Sequence, residues 1–146
     1  MNSDIIFNNM HLTINTDGGS LNNPGKAAIG FLIRNSDELL FSYGESIGIA
    51  SNNVAEYTAL IKALSYVLNM ISNKSWAVES IKCIADSELM VKQLNGIYKI
   101  KNEDLRILHN KIKELINQIG VPSTFNHVLR DKNADADLLV KKALGK

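Results

Sequence analysis

Near the N-terminus, Leu12, Ile14 and Thr16 alternate with Thr13 and Asn15, the period of two that predicts a β-strand. Residues 28–34 and 39–47 are two further segments, bounded by turn-forming residues, that we interpret as strands. Turn-forming residues follow the first two segments: Asp17-Gly18-Gly19-Ser20 and Asn22-Asn23-Pro24-Gly25 after the first, Asn35-Ser36-Asp37 after the second. Because these connections are short, we predict an antiparallel meander of three strands.

From Val54 onward the apolar residues recur every three to four positions, which predicts helices. A long helix over residues 54–71 follows the capping candidates Ser51, Asn52 and Asn53. The next predicted elements are a strand over residues 81–85, a short helix from Asp86-Ser87 to Leu94, and a longer helix whose apolar stripe runs from Leu105 to Ile119. Gly120 and Pro122 end this helix, and a strand over residues 125–129 and a final helix capped by Asn133 and running to Leu144 follow. The order β-β-β-α-β-α-α-β-α predicts an α/β fold in which a mixed five-stranded sheet carries helices on both faces.

Length and composition set limits on the kind of protein. A chain of 146 residues is long enough for one domain, so we assign residues 1–146 to a single domain with residues 1–10 as a short extension. The composition, 45% hydrophobic and 21% charged, excludes a disordered or fibrous protein, and a single cysteine excludes an internal disulfide framework. No signal-peptide core or membrane span is evident, so we expect a cytoplasmic protein without membrane contact. The formal net charge of +1 does not by itself indicate a nucleic-acid partner.

Four carboxylates stand near the ends of predicted elements. They are Asp17 after the first strand, Glu56 at the start of the first long helix, Asp86 after the fourth strand and Asp137 in the first turns of the last helix. If the fourth strand pairs with the first, Asp17 and Asp86 lie on strands about 4.8 Å apart. Carboxylates this close need a cation, because like charges raise one another's pKa. Oxygen ligands suit Mg²⁺ or Mn²⁺, and a paired-metal site of this kind hydrolyses phosphodiesters without a protein nucleophile.

Each acid also has a purely structural interpretation. Asp17 could belong to a turn, and Glu56 fits a relaxed capping box. Asp86 could cap the helix that follows it, and Asp135 and Asp137 could both be favourable charges near a helix N-terminus. Only the four acids taken together suggest nuclease chemistry.

Four segments around these acids resemble, in order, the four motifs of the type 1 ribonuclease H family. They are DGGSLNNPG at residues 17–25, NNVAEYTAL at 52–60, DSELMVKQLNG at 86–96 and RDKNADADLL at 130–139. The resemblance implies the ribonuclease H fold and endonucleolytic cleavage of the RNA strand of RNA–DNA hybrids. It also implies two Mg²⁺ ions, replaceable by Mn²⁺, held by Asp17, Glu56, Asp86 and Asp137. Only residues 95–102 separate the second and third predicted helices, so the chain is similar to the short, archaeal-like members that lack a basic protrusion.

The resemblance implies roles for residues around the acids as well. Arg130 stands where the family carries a His or Arg that assists the metal-site chemistry or product release. The residues implied to contact the hybrid are Gly18, Gly19, Ser20, Asn22, Asn53, Gln93, Lys99, Lys101 and Asn102. Contacts near the sugars make physical sense because the 2′-hydroxyl is what distinguishes RNA from DNA.

Some features keep alternative interpretations. Residues 92–113 carry six Lys or Arg against two Asp or Glu, which fits either a phosphate-binding surface or a solvated helix face. We expect His127 to be a packed or hydrogen-bonded strand residue and Trp76 to be a packing residue. The expected partner is an RNA–DNA hybrid and the expected state a monomer. A hybrid-binding module without catalysis, and a nuclease of the same fold that prefers another duplex such as double-stranded RNA, remain alternatives.

Overall fold

The computed structural model describes residues 8–145, and these residues form strands and helices in the predicted order. The strands are β1 (Met10–Ser20), β2 (Gly25–Asn35), β3 (Glu38–Ala50), β4 (Val78–Ala85) and β5 (Ser123–His127). The helices are α1 (Asn52–Ser72), α2 (Glu88–Leu94), α3 (Glu103–Ile119) and α4 (Ala134–Ala143), and a 3₁₀-turn at Arg130–Asn133 leads into α4. Within residues 8–145, no helix combines the length and apolar character needed to cross a membrane.

The strands form one mixed five-stranded sheet, as predicted, and their order in it is β3-β2-β1-β4-β5. The central strand β1 pairs antiparallel with β2 and parallel with β4, and β4 pairs parallel with β5. Parallel neighbours need a crossover, which α1 supplies between the meander and β4, and α2 and α3 supply between β4 and β5. As a result, the C-terminal ends of β1 and β4 lie side by side at one edge of the sheet.

Helices cover both faces of the sheet, again as predicted. Phe31 and Ile33 of β2 belong to the main apolar core, which α1 and α3 close on one face. Gly30 points to the other face, where a Cβ would lie 2.7 Å from Leu139 Cβ and 2.9 Å from the Ala136 carbonyl oxygen. The missing side chain therefore lets α4 lie directly against β2.

The ends of the strands differ from the prediction in several places. β1 continues past Asp17 to Ser20, because Gly18 and Gly19 stay paired with β2 instead of turning. β4 begins earlier, at Val78, and β5 covers Ser123–His127 rather than residues 125–129, because its pairing with β4 ends where β4 ends. Leu129 is consequently 71% exposed in the loop that follows β5.

Candidate active site

Three carboxylates converge where the pairing of β1 with β4 ends. Thr16 and Ala85 are the last paired residues of the two strands, and Asp17 and Asp86 directly follow them, which confirms their predicted placement on neighbouring strands. Glu56 lies in the N-terminal part of α1, which packs against β1. One oxygen from each of the three carboxylates lies within 4.8 Å of the others.

Helix capping does not explain these acids. The Ser51 hydroxyl accepts a hydrogen bond from a backbone N–H in the first turn of α1 at 3.1 Å. The Ser87 hydroxyl does the same for α2 at 3.2 Å. The N-cap positions are thus filled by serines, and the carboxylates of Glu56 and Asp86 are directed elsewhere.

Gly18 links two of the carboxylates. Its backbone N–H donates to Asp17 Oδ1 at 3.0 Å and to Glu56 Oε1 at 3.1 Å. A Cβ at this position would lie 2.3 Å from the carbonyl carbon of Ala55, closer than real atoms approach. Only glycine therefore allows β1 to lie this close to α1, and this contact brings Asp17 and Glu56 to the same N–H group.

Burial makes the carboxylates difficult to ionise without a cation. Asp17 is 6% exposed, and its pKa is raised from 3.8 to about 8, chiefly by burial and then by the charges of Asp86 and Asp137. The pKa of Glu56 is raised well above its usual value, chiefly by burial and then by the charges of Asp17 and Asp86. The Gly18 N–H opposes both shifts without cancelling them.

Asp137 and Arg130 reach the site from the C-terminal part of the chain. Asp137 lies near enough to Asp17 to raise its pKa, but it is outside the group of three and its Oδ2 is 2.9 Å from Lys141 Nζ. The Arg130 side chain is 81% exposed, and its Nε lies 4.0 Å from Asp86 Oδ2. Asp137 and Arg130 therefore flank the three converging acids, and Lys141 is a cation of the site that motif comparison did not identify.

A groove of about 350 Å³ runs past these acids. Its lining comprises Asp17, Gly18, Gly19, Ser20, Asn52, Glu56, Arg130, Asp137, Val140, Lys141 and Leu144. Both the backbone N–H and the hydroxyl of Ser20 donate to Asn52 Oδ1, at 2.9 and 3.1 Å. Asn52 thus connects the start of α1 to the end of β1. The next residue, Asn53, was predicted to contact the hybrid, but it is exposed and does not line the groove.

The other predicted substrate residues lie in different surroundings. Asn22 is exposed in the loop after β1. Gln93 is only 5% exposed, and its amide is used inside the protein: Oε1 accepts from the Tyr57 hydroxyl, and Nε2 donates to the Lys99 carbonyl at 3.5 Å. Tyr57 lies on the buried stripe of α1, and the hydroxyl of a buried tyrosine normally needs a hydrogen-bond partner. The sequence therefore indicated that a polar side chain such as Gln93 would be buried beside it.

The segment between α2 and α3 carries the remaining predicted contacts. Lys99 and Lys101 are exposed, whereas the Asn102 side-chain oxygen caps α3 through a bond to Leu105 N at 3.0 Å. Lys92 is engaged, because its Nζ lies 2.8 Å from Glu88 Oε2. The basic segment is thus partly neutralised at its start and open at Lys99 and Lys101.

Two expectations outside the acidic cluster have clear outcomes. Trp76 is a packing residue as predicted, 6% exposed and edge-to-face with Tyr66 at 5.7 Å between ring centroids. His127 is the last residue of β5, so it is a strand residue as expected, but its side chain is exposed rather than packed.

The sequence prediction for Asn133 was also wrong in one respect. Asn133 holds the N-cap position of α4, but its side chain makes no capping bond. Its Nδ2 donates instead to the Thr16 carbonyl at 2.8 Å. A partner that lies on a distant strand overrides the local capping preference.

The acidic cluster fits a divalent cation. The donors are carboxylate oxygens only, as Mg²⁺ and Mn²⁺ prefer. Asp86 Oδ2 is buried and, among the residues that the structure describes, has no hydrogen-bond partner. Buried polar atoms are normally paired, and the Arg130 Nε at 4.0 Å is too distant for a hydrogen bond. This oxygen and the raised pKa values of Asp17 and Glu56 therefore fit a site that binds a cation.

A mixed sheet of this order with acidic side chains at the shared end of β1 and β4 defines the ribonuclease H-like class of α/β proteins. A family model described as reverse transcriptase-like matches residues 15–143. The ribonuclease HI of Halobacterium salinarum is 36% identical over 129 residues, which are 88% of this chain and 61% of that protein. This chain therefore spans less than two thirds of that relative's length.

Solved structures agree with this match. The crystal structure of RNase H1 from Halobacterium salinarum aligns with a TM-score of 0.83 and 34% identity, covering 92% of this chain and 98% of that one. LC11-RNase H1, solved in complex with an RNA/DNA hybrid, aligns with a TM-score of 0.85 and 36% identity, covering 92% and 96%. The chain belongs to the ribonuclease HI family.

Proposed function

We propose that this protein is a metal-dependent endonuclease that hydrolyses the RNA strand of RNA–DNA hybrids. The observation that carries the proposal is the cluster of Asp17, Glu56 and Asp86, in which one oxygen of each carboxylate lies within 4.8 Å of the others. Asp86 also has a buried Oδ2 that accepts no hydrogen bond from the residues that the structure describes. A hybrid substrate is supported by the likeness to LC11-RNase H1, which was solved with an RNA/DNA hybrid.

The residues that would hold two Mg²⁺ ions are Asp17, Glu56, Asp86 and Asp137, with Mn²⁺ as a substitute. When bound, paired divalent ions activate a water nucleophile and stabilise the developing charge on both oxygens of an in-line phosphoryl displacement. Asp137 forms an ion pair with Lys141 across one turn of α4, with Oδ2 and Nζ 2.9 Å apart. To bind a metal ion, Asp137 would exchange this contact with Lys141 for a contact with the ion. This exchange costs little, because the Lys141 side chain is 56% exposed and can turn to solvent.

The protein itself supplies orientation and substrate binding. The Gly18 N–H holds the Asp17 and Glu56 carboxylates in fixed positions, so they need little rearrangement before a cation arrives. Arg130 is mostly exposed beside Asp86, which places a guanidinium where it can pair with a phosphate of the strand that is cut.

Selection of RNA requires contacts with the 2′-hydroxyls. Ser20, held by Asn52, and the glycines before it line the groove beside the acids and are suited to approach a sugar closely. The exposed Asn22 and Asn53 are free to offer amides to the same strand. Gln93 is buried and does not itself reach the substrate in this proposal. Its bond to the Lys99 carbonyl instead holds the segment whose exposed Lys99 and Lys101 would contact the phosphate backbone.

A cleavage assay with three duplexes tests the proposal. The protein is incubated with labelled RNA–DNA hybrid, double-stranded RNA or double-stranded DNA in Mg²⁺, Mn²⁺ or EDTA. In a separate experiment, size-exclusion chromatography with light scattering tests the expected monomer. We expect internal cuts in the RNA strand of the hybrid that require metal and that disappear in Asp86→Asn. Asp135→Asn is the matched control, because its carboxylate is exposed and paired with Arg34 at 2.9 Å.

Each alternative has its own outcome in this assay. Retarded but uncut hybrid in a gel-shift experiment would indicate a binding module without catalysis. Preferential cutting of double-stranded RNA would indicate a different duplex specificity on the same fold. Either result contradicts the proposed function.

A further inference from the structure

Asn133 is a buried side chain that the proposed chemistry does not use. It is 2% exposed and lies at the junction of the 3₁₀-turn and α4, with φ −127° and ψ 29°. Its Nδ2 donates to the Thr16 carbonyl at 2.8 Å, and its Oδ1 accepts from Asn15 Nδ2 at 3.1 Å. Both amide functions of Asn133 are therefore used to bind β1.

The bond to Thr16 acts directly beside an acid of the site. Thr16 is the last residue of β1 that pairs with β4, and it precedes Asp17. Because a peptide group is planar, holding the Thr16 carbonyl also holds the nitrogen of Asp17. The amide of Asn133 thus fixes the backbone from which the Asp17 carboxylate projects.

The same residue stands between the two groups that come from the C-terminal part of the chain. Arg130 is three residues before Asn133, at the start of the 3₁₀-turn, and Asp137 is four residues after it, one turn into α4. Helical segments move as rigid units over such short lengths, so the position of Asn133 sets the positions of both neighbours relative to β1.

Helix α4 has a second, independent attachment. Its middle packs against β2 and β3 over Gly30 and Gly44, where a Cβ would lie 2.7 and 3.4 Å from Leu139 Cβ. Ala136 and Val140 are buried in this contact. Loss of the Asn133 amide should therefore release the N-terminal end of α4 without detaching the helix.

We propose that Asn133 is a positioning residue, which holds Arg130 and Asp137 in register with Asp17 and Asp86 through its bond to the Thr16 carbonyl. The inference rests on the proposed nuclease function. Displacement of catalytic groups by about 1 Å can lower a rate about 100-fold. We therefore expect Asn133→Ala to lower kcat by about 10- to 100-fold while KM for the hybrid stays within about twofold.

Steady-state kinetics on the hybrid in Mg²⁺ compare this variant with a matched one. Asn126→Ala also removes an amide that donates to a strand carbonyl, here Cys83 O at 3.3 Å, but it does not connect to Arg130 or Asp137. Asn126→Ala should keep kcat within about twofold of wild type at a similar loss in Tm. Equal kcat values for the two variants would overturn the inference. Should Asn133→Ala unfold, Asn133→Leu carries the same test, because it keeps a similar volume and removes both polar functions of the amide without adding a charge.

Hydrogen exchange of the metal-free protein separates this inference from the proposed function. In Asn133→Ala and Asn133→Leu we expect protection to fall over residues 130–137 and to persist over residues 138–143. Unchanged protection over residues 130–137, or loss over the whole helix, would contradict positioning by Asn133. If wild type cuts no hybrid with either metal, the proposed function fails, and the exchange result still decides whether Asn133 holds this segment.

Discussion

Removing the negative charge of Asp17 should make the metal-free protein more stable, although it destroys the site. Asp17 has a pKa of about 8 in the folded chain against 3.8 ordinarily, so the folded protein binds a proton more tightly than the unfolded chain. The contribution of Asp17 to the free energy of unfolding therefore falls as the pH rises from about 4 to about 8, and it is constant above that range. One pKa unit corresponds to about 1.4 kcal/mol, which gives a loss on the order of 4 kcal/mol at pH 7.

The variant Asp17→Asn cannot ionise and should recover much of this free energy. For a domain of this size, we expect Tm in EDTA to rise by roughly 5–15 °C at pH 7.5 and to change little at pH 4. Circular dichroism melts at several pH values measure the difference. Added Mg²⁺ should raise the Tm of wild type more than that of the variant, because binding to the folded state alone is stabilising.

Asp135→Asn provides the control for this experiment. Its side chain is 69% exposed and paired with Arg34, so its replacement should change Tm little at any pH. A stability gain in Asp17→Asn that is the same at pH 4 and pH 8, or a loss at pH 7.5 in EDTA, would refute the reasoning. Either result would mean that burial and the neighbouring acidic charges do not oppose ionisation of Asp17 in the metal-free protein.

Three further substitutions test other parts of the site. Gly18→Ala should cost several kcal/mol in a urea titration because its Cβ would lie 2.3 Å from the α1 backbone, whereas Gly19→Ala, with its nearest neighbour at 3.9 Å, should fold normally. Asp137→Asn should lower kcat far more than Asp135→Asn. The reverse order would show that the fourth motif, residues 130–139, is misaligned with the family and that Asp135 is the fourth acid. Arg130→Ala should reduce hybrid cleavage about 10-fold or more with little change in Tm, because its side chain is 81% exposed; an unchanged rate would remove Arg130 from the site.

The order of elements and the sheet type were predictable from the sequence, because the apolar period changes from two to 3.6 at Val54. The local structure around Asp17 was less predictable. A Gly-Gly pair after an aspartate favours a turn, yet β1 continues through it because β2 supplies partners for Gly18 and Gly19. Gly18 serves the close approach of α1, which is a tertiary requirement that local sequence does not display.

Amide side chains were the least predictable members of the site. Asn133 precedes a helix and resembles a cap, but its partners are Asn15 and Thr16 on β1. Gln93 matches a substrate-contact position of the family, but it is buried against Tyr57. Motif comparison identifies residue types at positions, and only the packed structure shows whether an amide faces the groove or the interior.

The hydrogen bond from Asn133 to the Thr16 carbonyl joins residues 117 positions apart, which has a consequence for the timing of activity during synthesis. A ribosome adds about 5–20 residues per second, and the segments that carry Asp17, Glu56 and Asp86 emerge well before α4. A nascent chain that ends before the 3₁₀-turn at Arg130–Asn133 lacks Arg130, Asn133 and Asp137, so the proposed nuclease activity begins only when this turn and α4 have docked.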